Sequence, residues 1–187
     1  MTNSKTFTAF AGMTRLHKGS LAEVAVAVAA SDSTDPLLTF DDETGRVVDL
    51  DLRGTSEDIQ ARYAEPAKPA RGRGRPKLGV VPREVTLLPR HWDWLSQQPG
   101  GASQALRRLI DDARRADEGA TDTRRTQEIT YRFLSAMAGN LPGFEEASRA
   151  LFSGQSAAFE AHSANWPVDV RTYASTLLAG ATDASSR

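Results

Sequence analysis

The chain has 187 residues, 40% hydrophobic and 25% charged, with 23 Lys and Arg against 24 Asp and Glu and no cysteine. Totals near those of ordinary globular proteins exclude wholesale disorder and a fibrous class, and the missing cysteines exclude disulfides, thiolate zinc sites and cysteine nucleophiles. A cytoplasmic protein of one domain or two small ones is expected, because the N-terminus lacks a signal-peptide pattern and the least polar run, 21–30, is interrupted by Glu23 and too short to span a bilayer.

Taken in chain order, the first element is a strand over Thr6-Phe7-Thr8-Ala9-Phe10, which alternates, and the stretch from Gly12 to Gly19 is read as the turn after it. A helix follows from Leu21 to Ala30, with Ser20 as its N-cap and Glu23 three residues on, as in a capping box. The segment from Ser31 to Pro36 breaks that helix. Leu37 to Phe40 and Arg46 to Leu52 then flank Asp41-Asp42-Glu43-Thr44-Gly45 as a β-hairpin, with Val48, Leu50 and Leu52 inward and Asp49, Asp51 and Arg53 in water. These carboxylates could be weighed as a hard-cation site. Their spacing fits a turn and a solvated strand face better, so no metal is expected. Thr55 caps a short helix that runs to Tyr63.

Residues 64–79 form a boundary that holds three of the nine prolines and the run Arg71-Gly72-Arg73-Gly74-Arg75-Pro76-Lys77. The net charge of −1 conceals a separation of sign along the chain. Residues 1–65 carry 6 basic and 11 acidic side chains, 66–115 carry 11 and 4, and 116–187 carry 6 and 9, giving balances of −5, +7 and −3. A cationic middle between acidic flanks fits an anionic partner bound at one place. From Val80 to Ala116 the order is strand, helix, turn, helix. Leu106, Leu109, Ile110 and Ala113 recur at helical spacing, and Ser103 is read as an N-cap whose helix N-terminus can hold a phosphate. Beyond Arg124 the chain reads as helices, with a stripe of Ile129, Phe133, Leu134 and Met137, a stop at Asn140 to Gly143, a helix from Phe144 to Phe152, and Trp166-Pro167 between the last two.

Three resemblances are carried by these residues. Arg73-Gly74-Arg75-Pro76-Lys77 resembles the core of an AT-hook, which implies that Gly74, Arg75 and Pro76 lie in the minor groove of A·T-rich DNA while Arg71, Arg73 and Lys77 reach phosphates or groove walls. The segment from Arg83 to Ala116 resembles the ribbon-helix-helix family, in which two chains pair strands into a ribbon that enters the major groove. That implies a homodimer, with Arg83, Thr86, Arg90 and Ser103 facing DNA. The polar base readers expected at Val85 and Leu87 are apolar here, so the segment is read chiefly as a dimer scaffold. Over its whole length the chain resembles an uncharacterised bacterial family. Thr6 to Gly12, Val48 to Gly54, Gly74 to Trp94, and Ala136 to Gly139 with Leu141 to Glu145 carry that likeness, which implies no activity.

The sequence therefore predicts an α+β protein: a small α/β unit over 1–63, a basic linker over 64–79, a ribbon-helix-helix-like segment over 80–116 and a helical part over 124–181. The expected function is non-enzymatic DNA binding, as a regulator or a nucleoid-associated protein, with duplex DNA as partner, RNA sharing the same phosphate attraction, and no membrane. No cofactor is expected. Catalysis finds little support, since His17, His91 and His162 stand in unrelated contexts and no phosphate-binding glycine signature follows a strand. Trp92 and Trp94 are read first as packing and second as base-stacking surfaces. The alternative is a protein-interaction module, docking a partner through the N-terminal unit or the C-terminal helices, for which the linker is only a tether.

Overall fold

A computed structural model of the protein describes residues 5–64 and 81–184. The fold is α+β: strands β1 (Phe7–Ala11), β2 (Thr14–Gly19) and β3 (Leu37–Asp41), and helices α1 (Leu21–Ala29), α2 (Ser56–Tyr63), α3 (Pro89–Ser96), α4 (Gly101–Ala116), α5 (Ala120–Met137), α6 (Phe144–Phe152), α7 (Ser156–Ser163) and α8 (Val168–Ala184). The chain divides into two compact units, Met1–Glu65 with Thr121–Arg187 and Pro66–Ala120. The predicted N-terminal unit and helical C-terminal part thus share one body.

In the larger unit β1 is the central strand, antiparallel to both β2 and β3 in the order β2-β1-β3. Alternate residues of a strand face opposite sides of the sheet, and here both sides are covered. Phe7 and Ala9 pack with Val24 and Val28 of α1. Phe10 joins Phe40 of β3 in a second core with Phe133 and Leu134 of α5 and Tyr173 of α8. The ring centroids of Phe133 and Tyr173 lie 4.6 Å apart, and those of Phe40 and Phe133 5.0 Å, both edge to face. Such pairs add about 1 kcal/mol each beyond their burial.

The capping boxes form as the sequence implies. Ser20 and Glu23 satisfy each other's backbone N–H groups at the start of α1, and Thr55 and Asp58 do so for α2. Two expectations are corrected. The stretch from Gly12 to Gly19 is a strand rather than a turn; the reversal is confined to Gly12, at φ +55°, and Met13, and β2 is a polar edge strand without hydrophobic alternation. The proposed hairpin also fails in its second arm. Leu37–Asp41 pairs with β1 instead, and residues 46–52 contribute one bridge, Phe40 to Val47, before Val48, Leu50 and Leu52 turn onto the α1 core.

The turn between those arms is held from the helical side. Gly45 sits at φ +66°, where a Cβ would lie 2.1 Å from the carbonyl oxygen of Ile129, and Arg132 donates to the carbonyl of Thr44 at 3.0 Å. Left-handed strain and a collision with backbone act together there. Gly45→Ala is expected to lower the unfolding free energy by about 3 kcal/mol in urea denaturation, whereas Gly154→Ala, with open space around it, should cost about 1 kcal/mol.

Candidate nucleic-acid interface

The smaller unit is built from two helices of unequal amphipathicity. Pro89 opens α3 at a position where its missing N–H costs nothing, and Leu88 caps it with no side-chain hydrogen bond. Gly100, at φ 82°, caps α4. Ser103 therefore lies inside the first turn of α4 rather than at its cap, and the predicted capping role is corrected: the αL turn at Gly100 and Gly101 starts the helix three residues early. Its hydroxyl remains exposed on the first turn, beside backbone N–H groups that no side chain caps.

Arg71, Arg73, Gly74, Arg75, Pro76 and Lys77 lie outside the described residues. Arg83 and Thr86 are exposed on the segment 81–88, which joins no sheet among the described residues, so the predicted strand is not formed there. A ribbon strand makes its ladder with a second chain, and one copy offers it no partner. Arg90 is exposed in the first turn of α3. The four described candidates thus sit on three consecutive pieces of one small unit.

Packing within that unit is thin. Of its described residues only Leu95 and Ala105 are buried hydrophobics, where α3 meets α4. Val81, Val85, Leu88, Trp92 and Trp94 are exposed, as are Leu109 at 44% and Ile110 at 56%. Two helices of this size bury too little apolar surface to be stable unaided, and among the described residues the second half of the α4 stripe has no cover.

The charge is unevenly spread within the cationic region. Residues 66–80 hold five cations, Lys68, Arg71, Arg73, Arg75 and Lys77, and no acid. Residues 81–116 hold Arg83, Arg90, Arg107, Arg108, Arg114 and Arg115 against Glu84, Asp93, Asp111 and Asp112, and Arg115 pairs with Asp112 on α4. Attraction for an anion therefore concentrates in the linker. Arg107 and Arg108, which the sequence reading passed over, are exposed on α4 beside the apolar stripe; their helical spacing from Leu106 and Leu109 was the available signal.

The acidic turn of the larger unit is a structural knot. Asp42 accepts from the hydroxyls of Thr6, Thr8 and Tyr173 at 2.8, 2.8 and 2.6 Å, with Lys18 at 3.3 Å. Burial pushes the Tyr173 hydroxyl far up, and the Asp42 carboxylate adds to this, so it stays a donor tying α8 to the sheet. Asp41 is opposed by its own burial, yet its bonds from Lys5, the backbone of Glu43 and the Thr44 hydroxyl prevail and hold its carboxyl below the usual range. A depressed carboxyl contributes stability above the unfolded pKa and loses it as pH falls through the folded value. Asp41→Asn should therefore be less stable than the parent near neutrality, with the gap closing below about pH 4 in thermal unfolding across pH. Among the described residues no group of three His, Cys, Asp or Glu side chains converges as metal ligands would.

Comparison with known proteins places the chain in a family and goes no further. The chain belongs to the family described as "uncharacterized protein conserved in bacteria" (DUF2239), matched over residues 6–178. No curated protein and no solved structure matches it.

Proposed function

We propose that this member of the bacterial family is a non-enzymatic DNA-binding protein that holds duplex DNA as a dimer. The cationic linker takes the phosphates and the minor groove, and the segment 81–116 joins two copies. One observation carries this reading: an acid-free run of five cations leads straight into a helix pair whose apolar stripe has no cover among the described residues. Dimerisation would bury Leu109 and Ile110 and set two linkers on one duplex, which raises the effective concentration of the second after the first has bound. Arginines on a slim Gly/Pro backbone suit a narrow A·T-rich groove, where the negative potential is strongest. Recognition then rests on groove shape and phosphate, because Val85 and Leu87 offer no hydrogen bonds to base edges.

A second reading draws on the larger unit, where Tyr131 and Phe152, 5.3 Å apart, are both exposed and Tyr131 also stacks on Phe144. An aromatic surface of this kind fits a protein partner. Capture of the tagged chain from lysate with and without nuclease separates the two. Nucleic acid that co-purifies and is lost on digestion supports DNA binding. A protein partner retained after complete digestion, with no nucleic acid in the undigested sample, overturns it.

A further inference from the structure

Trp94 lies on α3 and is not one of the α4 residues, Leu109 and Ile110, given to the dimer seam above. Leu88 at the N-cap of α3, Trp92 and Leu95 recur at helical spacing, and of these Leu95 is buried against α4 while Leu88 and Trp92 remain exposed. Trp94 directly precedes Leu95 and is therefore turned about 100° away from it around the helix. It is 48% exposed and makes no ring contact or side-chain hydrogen bond among the described residues. Trp166, by contrast, is buried and donates its indole N–H to the carbonyl of Pro142 at 2.8 Å. One turn before Trp94 on the same face is Arg90, exposed and without an ion-pair partner among the described residues. The face therefore presents a free indole ring and a free guanidinium one helical turn apart, with Arg90 thirteen residues after Lys77, the last cation of the linker.

From this juxtaposition we propose that Trp94 and Arg90 form a nucleotide subsite, with an unpaired base stacked on the indole and its phosphate held by the guanidinium, so that the preferred ligand is a duplex bordered by single strand. The inference rests on the DNA-binding reading above and narrows it. A paired base keeps its faces inside the stack, so a helix-borne indole reaches a base face only where pairing has ended. An apolar seam between copies would exploit Trp92, on the stripe with Leu95, and would leave Arg90 beside Trp94 without an ion pair among the described residues. Phosphate supplies the counter-charge.

The test uses the full chain and two DNA probes, a blunt duplex and the same duplex carrying a short thymidine overhang, titrated by anisotropy at one salt concentration. The overhang should tighten binding about tenfold, in line with one stacked base. Trp94→Ala should abolish that gain while leaving the blunt-duplex affinity and the dimeric mass unchanged. Trp94→Phe should keep most of the gain, and Trp92→Ala should not selectively remove it. Equal binding of the two probes by the parent chain, or a gain that survives Trp94→Ala, overturns the subsite while duplex binding stands. If neither probe binds, the DNA-binding reading fails and the subsite with it.

Discussion

Replacing Arg71, Arg73 and Arg75 together by alanine is expected to weaken duplex binding by more than two orders of magnitude at about 0.1 M salt and to flatten its salt dependence. Each phosphate neutralised contributes roughly −0.9 to the slope of log K against log salt, so three lost contacts reduce the slope by about 2.7 for each bound chain. Anisotropy titrations at several salt concentrations read both quantities. The three arginines are three of the five cations in a run that holds no acid, so Lys68 and Lys77 alone remain to hold phosphate after their loss. Replacing the same three by lysine separates charge from groove fit: the slope should survive, while any preference for A·T-rich duplex falls, because the planar guanidinium is weakly hydrated and enters a narrow groove more readily than an ammonium. A linker that is only a tether would leave both affinity and slope unchanged in the alanine variant.

The second large effect is expected at the α4 stripe. Leu109→Asp with Ile110→Asp places two carboxylates where a second copy would pack. Light scattering should then give the single-chain mass of 20.2 kDa where the parent gives twice that value. Both positions are exposed in one chain, so the substitutions break no packing within it, and the helical signal of the larger unit in circular dichroism should persist. With one linker per particle the effective-concentration advantage is lost, and duplex affinity should fall about 100-fold. A parent chain that is already monomeric, or a variant that remains a dimer, contradicts the dimer arrangement.

The parts of the fold that could be read in the sequence are those whose causes are local. Ser20 with Glu23 and Thr55 with Asp58 declare their helices because each capping box closes within four residues. Phe144 to Phe152 was legible after the stop at Asn140 to Gly143, likewise a local signal. What escaped was set by partners distant in the chain. β2 carries Arg15, His17 and Lys18 on an exposed edge and so lacks the alternation that marks a half-buried strand. Leu37 to Phe40 reads equally well as a hairpin arm and as the neighbour of β1. The choice is made by Phe40 meeting Phe10 and Phe133, a closure no local pattern displays. The union of the N-terminal sheet with the last helices depends on Asp42 and Tyr173, which are 131 residues apart.

The candidate site divides along the same line. The cationic run from Arg71 to Lys77 was visible because charge and backbone slimness are properties of composition. The role given to Ser103 was misplaced because the αL conformation at Gly100 moved the start of α4, which a search for a polar N-cap overlooks. The stripe of Leu106, Leu109 and Ile110 was legible as periodicity, but the lack of cover on Leu109 and Ile110 among the described residues is a tertiary fact and is the strongest reason to look for a second copy.

The central claim is that the full chain binds duplex DNA chiefly through phosphate and groove contacts made by its cationic linker. The most direct measurement is the observed association constant for a short A·T-rich duplex across a range of salt concentrations. Five linker cations on phosphates predict a slope of log K against log salt near −4.5 for one bound chain, and about twice as steep for a dimer with both linkers engaged. Absent binding, or a slope shallower than about −1, would contradict the account.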